Sequence, residues 1–142
     1  MSKIIVGVDG SPGSRAALRW AHEEAGLRKA TLEVVTVWQF SVMTSLPAFG
    51  TMPPPENLGS EAEGALLRTL ADEGIVSTDE VPVTTVVAEG AAAPVLLESA
   101  TDADLLVVGN RGHGGFTGLL LGSVSQQCVT HATCPVVVVR ND

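Results

Sequence analysis

A glycine-rich run in the last third of the chain contains the residues best suited to binding chemistry. Gly109–Ser123 reads GNRGHGGFTGLLLGS. Glycine lets the backbone take positive φ and approach a ligand closely. The run is expected to join a buried strand to a helix N-terminus, where free N–H groups and the helix dipole favour a phosphate. Arg111 is its one basic side chain, and Ser123, together with Ser125 just beyond the run, could donate hydroxyl hydrogen bonds. The run predicts a phosphate cradle, against the alternative of a flexible turn that binds nothing.

The familiar motifs of nucleotide-binding and hydrolytic enzymes are absent. No G-x-x-x-x-G-K-[ST] occurs, so no P-loop lysine would reach the β and γ phosphates. The first strand is followed by a G-x-x-G-x-x-G spacing at Gly7, Gly10 and Gly13, which differs from the G-x-G-x-x-G of a dinucleotide site. No G-x-S-x-G nucleophile elbow is present. No residue is therefore predicted to be catalytic.

Asp9 directly follows the first apolar run of the chain, KIIVGV. Its carboxylate could contact a ribose, a base or a metal ion. It could equally cap the following helix, since aspartate is a favoured N-cap residue. Residue type and position leave both interpretations open.

The histidines and cysteines show no metal-ligand spacing. His113 lies in the glycine-rich run and could contact a phosphate, whereas His22 is expected to be structural or exposed and His131 to have a capping or packing role. Cys128 and Cys134 form a C-x5-C spacing that matches no usual zinc pattern. We interpret both as reduced, buried, apolar thiols.

The overall charge limits the classes of partner. The chain has 142 residues, a formal net charge of −8 and no apolar run near the ~20 residues of a membrane span. An acidic surface repels phosphate backbones and anionic headgroups, so neither nucleic acid nor a membrane is expected as a partner. Because no secretion signal is recognisable at the start, the expected location is the cytoplasm, and residues 1–142 are expected to form one domain.

Hydrophobic patterning predicts strands that alternate with helices. This alternation implies crossover connections and a parallel sheet, and continuous apolar runs indicate strands buried on both faces. Gln39–Gly59, rich in proline, is expected to be a functional lid or a disordered segment. The predicted strands are Lys3–Asp9, Thr31–Trp38, Val81–Val87, Asp104–Gly109 and Pro135–Arg140. The first predicted helix begins at the N-cap Ser11 and Pro12, and the second runs from Glu61 to Glu73, before Gly74. The third predicted helix runs from Ala93 to Ala100. The fourth begins at a capping box formed by Ser123 and Gln126 and ends at Ala132.

The expected fold is thus α/β, a doubly wound five-stranded parallel sheet with helices on both faces. In such sheets a ligand binds beyond the carboxyl ends of the strands, where the strand order reverses. If the first and fourth strands are neighbours, the turn that starts at Gly7 and the loop that starts at Gly109 face one crevice.

Three separated segments give this chain a resemblance to a known family. The spacing Gly109-x2-Gly112-x9-Gly122-Ser123 resembles the G-2x-G-9x-G-[S/T] signature of the ATP-binding universal stress proteins. IIVGVDGS at Ile4–Ser11 is similar to that family's first strand and acidic turn, and HATCPVVVVR at His131–Arg140 is similar to its last helix-to-strand passage.

The resemblance implies a strand order of 3-2-1-4-5, the adenine-nucleotide alpha-hydrolase-like arrangement, and ATP as the ligand. Gly7 and Asp9 would lie near the adenosine, and Val37 would contact the adenine. A Mg²⁺ or Mn²⁺ ion could neutralise the phosphates, with no protein metal ligand implied. The ribose and phosphates would be held by Gly109, Gly112, Gly122, Ser123 and Val124, with Asn110, Arg111, His113 and Gly114 in the same loop.

The resemblance also implies a homodimer formed by pairing of the last strands at Val136–Val139, since a bare apolar edge strand is a liability. It favours a nucleotide-dependent regulatory protein of stress adaptation, in which nucleotide occupancy acts as the signal. Two alternatives stay open at this point. One is an enzyme that hydrolyses ATP slowly or transfers a nucleotidyl group, and the other is a dimeric interaction module without ligand.

Overall fold

A computed structural model describes residues 2–39, 57–110 and 122–140 of the chain. Its five described strands form one parallel sheet in the order β3-β2-β1-β4-β5, which confirms the expected strand order. The strands are β1 (Lys3–Gly7), β2 (Thr31–Trp38), β3 (Val83–Glu89), β4 (Leu105–Gly109) and β5 (Val136–Val139). The described helices are α1 (Pro12–Arg28), α2 (Leu58–Asp72), α3 (Ala92–Ser99) and α4 (Ser123–His131), with a short 3₁₀ turn at Ala100–Asp102.

The central strand β1 is buried on both faces. Ile4, Ile5 and Val6 are fully inaccessible to solvent, which explains why this segment is a continuous apolar run without polar alternation. Val6 pairs with Val34 of β2 on one side and with Val107 of β4 on the other. Successive side chains of this strand therefore pack into two separate cores, one on each face of the sheet.

Helices cover both faces of the sheet, as predicted. Ile4 and Val6 point into a core formed with α1 and α2, which contains Leu18 and Leu66. Ile5 points to the opposite face, into a core with α3 and α4 that contains the buried residues Val35, Leu96, Ala100, Leu106, Val108 and Cys128. Two helices on each face make the described chain a doubly wound α/β sandwich.

Several element boundaries differ from prediction for local reasons. β3 begins two residues later than expected, because the chain from Thr78 to Val81 forms a turn in which the backbone N–H groups of Thr78 and Val81 are bonded locally, and Pro82 has no N–H to donate. α2 begins at Leu58, three residues before the expected Glu61, with Asn57 at the N-cap position. The last two residues of the predicted long loop are therefore helical, and residues 40–56 of that loop lie outside the described residues.

The predicted start of α1 at Ser11 and Pro12 is confirmed, and Gly74 follows the end of α2 as expected. Ser11 is the N-cap of α1 and accepts a hydrogen bond from the backbone N–H of Ser14, and Pro12 is the first helical residue. Gly74, which follows the end of α2, has a φ of +69°. That left-handed conformation is the usual way for a glycine to end a helix.

Candidate functional site

The carboxyl ends of β1 and β4 lie side by side in the sheet. The pairing of Val6 with Val107 sets their register, so the turn that leaves β1 and the loop that leaves β4 emerge at the same edge. The strand order reverses at this point, because β2 lies on one side of β1 and β4 on the other. The ends of β1 and β4 thus lie at the switch point of the sheet, the place where ligands of open α/β sheets bind and where the crevice is predicted.

The turn from β1 to α1 is held by its own short side chains. The Asp9 carboxylate accepts a hydrogen bond from the Ser11 backbone N–H at 2.9 Å. The Ser14 hydroxyl accepts from the Asp9 backbone N–H at 3.1 Å and donates to the Ser11 carbonyl at 3.1 Å. The Ser11 hydroxyl in turn accepts from the Ser14 backbone N–H at 3.2 Å. The N-terminus of α1 is therefore already capped by the protein itself.

These contacts refine the two interpretations of Asp9. Its carboxylate does stabilise the start of α1, yet the N-cap position belongs to Ser11. The residue itself is exposed at the sheet edge. A structural role in the turn and a position facing the crevice are thus both present at this one residue.

Gly7 and Val37 lie at the same edge, on the side of the sheet that α3 covers. A Cβ at Gly7 would stand 2.9 Å from the Cδ1 atom of Leu96, so the α3 side chain occupies that space. Val37 is half-buried against the same core as Leu96. The close approach made possible by Gly7 in this structure is therefore to α3.

Thr36 joins the ends of β1 and β2 and was not singled out from the sequence. Its buried hydroxyl donates to the Val8 carbonyl at 2.6 Å, and the Val8 backbone N–H donates to the Val35 carbonyl at 2.9 Å. Both backbone groups of Val8 are thus satisfied just before the turn. The sequence signal for it is a hydroxyl residue between two valines, Val35 and Val37.

At the end of β4, Gly109 touches the first turn of α1. A Cβ at Gly109 would lie 2.8 Å from the carbonyl carbon and oxygen of Gly13, a distance that backbone atoms do not tolerate. Gly109 is therefore required for packing between β4 and α1. Gly13, which contributes the other half of this contact, was noted in the sequence only as part of a glycine spacing.

The two ends of the glycine-rich run meet at a hydrogen-bonded base. The Gly122 backbone N–H donates to the Asn110 carbonyl at 2.6 Å, and the Asn110 backbone N–H donates to the Val139 carbonyl of β5 at 2.9 Å. The Ser125 hydroxyl also donates to the Asn110 carbonyl, at 3.0 Å. Four predicted ligand-binding residues of the run lie outside the described residues: Arg111, Gly112, His113 and Gly114.

The start of α4 differs from prediction in its cap. The expected capping box at Ser123 and Gln126 is wrong, because Gly122 is the N-cap and Ser123 is the first helical residue. Gly122 has no side chain, so among the described residues the N-cap makes no side-chain hydrogen bond to this helix. Ser123 is exposed and Val124 is half-buried. Backbone N–H groups in the first turn of a helix without a capping side chain are natural donors to an anion.

A groove of about 490 Å³ lies next to the crevice, at the carboxyl ends of β2 and β3. Trp38 forms one wall, and Glu63 and Glu89 contribute carboxylates. Two negative charges repel a phosphate. The two carboxylates therefore disfavour a phosphate in this groove.

The thiols and imidazoles form no metal site in the part of the chain that the structure describes. Cys128 lies fully buried on the inner face of α4, as predicted, and burial raises its pKa to about 11. Cys134 is only partly buried, which corrects the expectation of two buried thiols, and burial raises the pKa of this thiol as well. His22 is half-buried on α1 and His131 is exposed at the end of α4.

Within residues 2–39, 57–110 and 122–140, no helix has both the length and the apolar character needed to cross a bilayer. α1 is the longest of them, with 17 residues.

The fold and the crevice agree with the comparison to known families. The profile of the universal stress protein family matches residues 1–140. The chain belongs to the universal stress protein family. A curated universal stress protein of Mycobacterium tuberculosis (strain H37Rv) is 36% identical over 146 residues, covering 98% of this chain and 48% of the relative. This universal stress protein chain therefore spans about half the length of the curated relatives it matches.

Solved structures support the same fold. A universal stress protein from Lactobacillus plantarum has 22% identity and a TM-score of 0.77, with 98% of this chain and 97% of that chain covered. A universal stress protein crystallised in complex with cAMP has 28% identity and a TM-score of 0.64, with 97% and 95% of the two chains covered.

Proposed function

We propose that this universal stress protein binds an adenine nucleotide, ATP in the first place, at the crevice between β1 and β4. The observation that carries the proposal is the contrast between the two helix N-termini at that crevice. The N-terminus of α1 is capped by the Ser11 hydroxyl, whereas Gly122, the N-cap residue of α4, has no side chain with which to cap its helix. An anion bound at the start of α4 would therefore accept hydrogen bonds from the backbone N–H groups of its first turn, where the helix dipole also favours negative charge.

The proposed site uses the residues that the family signature identifies. Gly122, Ser123 and Val124 would hold phosphates through the first turn of α4, and Gly109 lies at the end of the adjacent strand. Asn110, Arg111, Gly112, His113 and Gly114 of the connecting loop would complete the phosphate side. Gly7, Asp9 and Val37 would lie on the adenosine side. The related structure with bound cAMP supports an adenine nucleotide as the ligand class.

A divalent cation is compatible with this site only as a companion of the phosphates. Within the described residues, no group of three histidine, cysteine, aspartate or glutamate side chains could hold a metal ion. Mg²⁺ typically binds through substrate phosphates and few protein ligands. The proposal therefore assigns no protein metal ligand, and a bound Mg²⁺ or Mn²⁺ ion would neutralise phosphate charge.

At the level of the whole protein, we propose one nucleotide-binding domain over residues 1–142, a cytoplasmic location and a homodimer formed through β5. Strand β5 pairs with β4 on one side, and in the described residues it has no partner strand on the other. Its four valines are all half-buried. The proposed role is regulatory, with nucleotide occupancy as the signal in stress adaptation.

The proposed phosphate site can be tested by introducing a capping side chain at Gly122, the N-cap residue of α4. Gly122 has φ −75° and ψ 172°, an extended conformation that aspartate and asparagine adopt readily at an N-cap. Gly122→Asp should keep or raise the melting temperature and weaken ATP binding more than tenfold in isothermal titration, because the carboxylate occupies and repels the phosphate position.

Gly122→Asn is the matched control, since it caps the helix without adding a charge. It should bind ATP more weakly than the wild type but more tightly than Gly122→Asp. If the wild type binds no adenine nucleotide, or if a folded Gly122→Asp variant binds ATP as the wild type does, the proposal is wrong.

A further inference from the structure

Ser125 lies in the first turn of α4, two residues beyond the family signature, and is almost completely buried. Its hydroxyl donates toward two carbonyl oxygens, those of Asn110 at 3.0 Å and Gly122 at 3.1 Å. Asn110 follows β4 and Gly122 is the N-cap of α4. One hydroxyl thus contacts two residues of the glycine-rich run, Asn110 near its start and Gly122 near its end.

The Asn110 carbonyl oxygen accepts two hydrogen bonds. It accepts the Gly122 backbone N–H at 2.6 Å in addition to the Ser125 hydroxyl, which matches the two lone pairs of a carbonyl oxygen. The Asn110 backbone N–H is bonded to Val139 of β5. The start of α4 is therefore tied through one peptide unit to two strands of the sheet.

We propose that Ser125 is a positioning residue of the nucleotide site. Its hydroxyl holds the first turn of α4 against the end of β4 and so fixes the direction of the N–H groups that receive phosphate. This inference rests on the proposed function, because it assigns Ser125 a role in the same site. Preorganised donors bind an anion more tightly than donors that must first be ordered.

The contact explains why a serine occupies this buried position. An alanine would pack equally well against the core but would leave the first turn of α4 attached to Asn110 through the Gly122 N–H alone. A hydrogen bond of this kind contributes about 1 kcal/mol, or roughly a fivefold change in an equilibrium constant. The expected effect of its loss on phosphate binding is therefore about fivefold to tenfold.

The test compares Ser125→Ala with Ser125→Thr, which keeps the hydroxyl, and with Thr130→Ala. Thr130 lies on the same helix and donates to the Gln126 carbonyl at 2.8 Å, but it is exposed and far from the crevice edge of α4. Each variant is titrated with ATP and with adenosine. Hydrogen exchange of the Gly122 amide is measured by NMR in the absence of ligand.

We expect Ser125→Ala to exchange the Gly122 amide several-fold faster and to bind ATP about fivefold to tenfold more weakly, with the affinity for adenosine unchanged. Ser125→Thr should restore both properties, and Thr130→Ala should change neither. A uniform loss of ATP and adenosine binding would indicate general destabilisation and overturn the inference.

Two further outcomes separate this inference from the proposed function. If the wild type binds ATP and Ser125→Ala binds it equally well, Ser125 does not position the site, although the site itself stands. If the wild type binds no adenine nucleotide, the proposed function fails and the role of Ser125 in it fails too.

Discussion

Gly109 at the end of β4 and Gly13 in the first turn of α1 are in such close contact that neither strand nor helix leaves room for a side chain at Gly109. A Cβ there would lie 2.8 Å from two backbone atoms of Gly13. The two residues belong to the two segments that border the crevice. Their contact sets the distance between the capped start of α1 and the strand that leads into the glycine-rich loop.

Gly109→Ala should therefore destabilise the fold. Because the clash is with backbone atoms and not with the end of a flexible side chain, α1 and β4 would have to separate, at about 1–3 kcal/mol. Urea unfolding measures the loss. Gly64→Ala in the middle of α2 is the control, because its Cβ would meet only the Arg68 guanidinium at 3.4 Å. That variant should gain about 0.5–1 kcal/mol from helix propensity. Equal stability of the two variants would contradict the close contact.

Thr36→Val should remove the buried bond to the Val8 carbonyl. The substitution keeps the shape of the side chain and leaves the carbonyl without its 2.6 Å donor, so we expect a loss of about 1–3 kcal/mol in the free energy of unfolding. Thr130→Val, at an exposed helical position, should change that free energy by less than about 0.5 kcal/mol. A loss at Thr36 no larger than the loss at Thr130 would show that the bond contributes nothing.

Glu73 should make stability depend on pH. Its carboxylate accepts a hydrogen bond from Arg19 at 2.7 Å and one from Arg15 at 3.3 Å. The Arg19 hydrogen bond, with the Arg15 contact, lowers the pKa of Glu73 in the folded protein. The unfolded state therefore binds more protons in the acidic range, so the contribution of Glu73 is present above the ordinary glutamate pKa and is lost as the pH falls through the folded-state value.

Urea unfolding of the wild type and Glu73→Gln, from about pH 7 to about pH 3, checks this pH dependence. The variant should be less stable at neutral pH by about 0.5–1 kcal/mol, since Arg19 is partly exposed, and the difference should shrink toward low pH. Glu24→Gln removes an i,i+4 pair with Arg28 on the surface of α1 and should have a smaller effect. A difference between wild type and Glu73→Gln that grows as the pH falls would refute the assigned direction.

Val138→Pro should dissociate the proposed homodimer. The carbonyls of Pro135 and Val139 accept bonds from β4. Because backbone groups alternate along a strand, the N–H of Val138 points to the open edge. Proline removes this N–H while leaving the bonds to β4 in place. Light scattering after size exclusion should give a monomer for Val138→Pro. The control Val138→Ala, which also loses the packing of the valine side chain but keeps the backbone N–H, should remain a dimer. A dimeric Val138→Pro variant would exclude pairing through β5.

Much of the fold could be predicted from local sequence, and the errors have local causes. The apolar run at Lys3–Gly7 and the Ser11-Pro12 pair predict β1 and the start of α1 correctly, because burial on both faces and helix capping leave clear residue patterns. The start of β3 was wrong because the turn before Pro82 uses the backbone groups of Val81. That turn depends on the side chains of Ser77 and Thr78, whose partners the sequence does not reveal.

The glycine spacing predicts a phosphate site, which stays a prediction, whereas the hydrogen bonds that support the base of the run depend on partners far away in the chain. Thr36 lies between two valines, and Ser125, expected to donate to a ligand, lies between Val124 and Gln126. Their partners are carbonyl oxygens 28 and 15 positions away in the chain. The predicted cap at Ser123 was wrong for a related reason. The bond from Gly122 to Asn110 and the extended conformation of Gly122 place the N-cap one residue earlier.

The sequence by itself determined the alternation of strands and helices, the burial of the parallel strands and the glycine signature of the family. Each of these depends on the types of residues that lie close together in the chain. Only the tertiary structure decided that the N-cap side chain of α1 satisfies its helix while the N-cap residue of α4 has none, that Gly109 is needed for its contact with Gly13, and that Gly7 packs against Leu96. The physical reason is that hydrogen-bond partners and close approaches join residues far apart in the chain. They exist only once the sheet has brought the ends of β1 and β4 together.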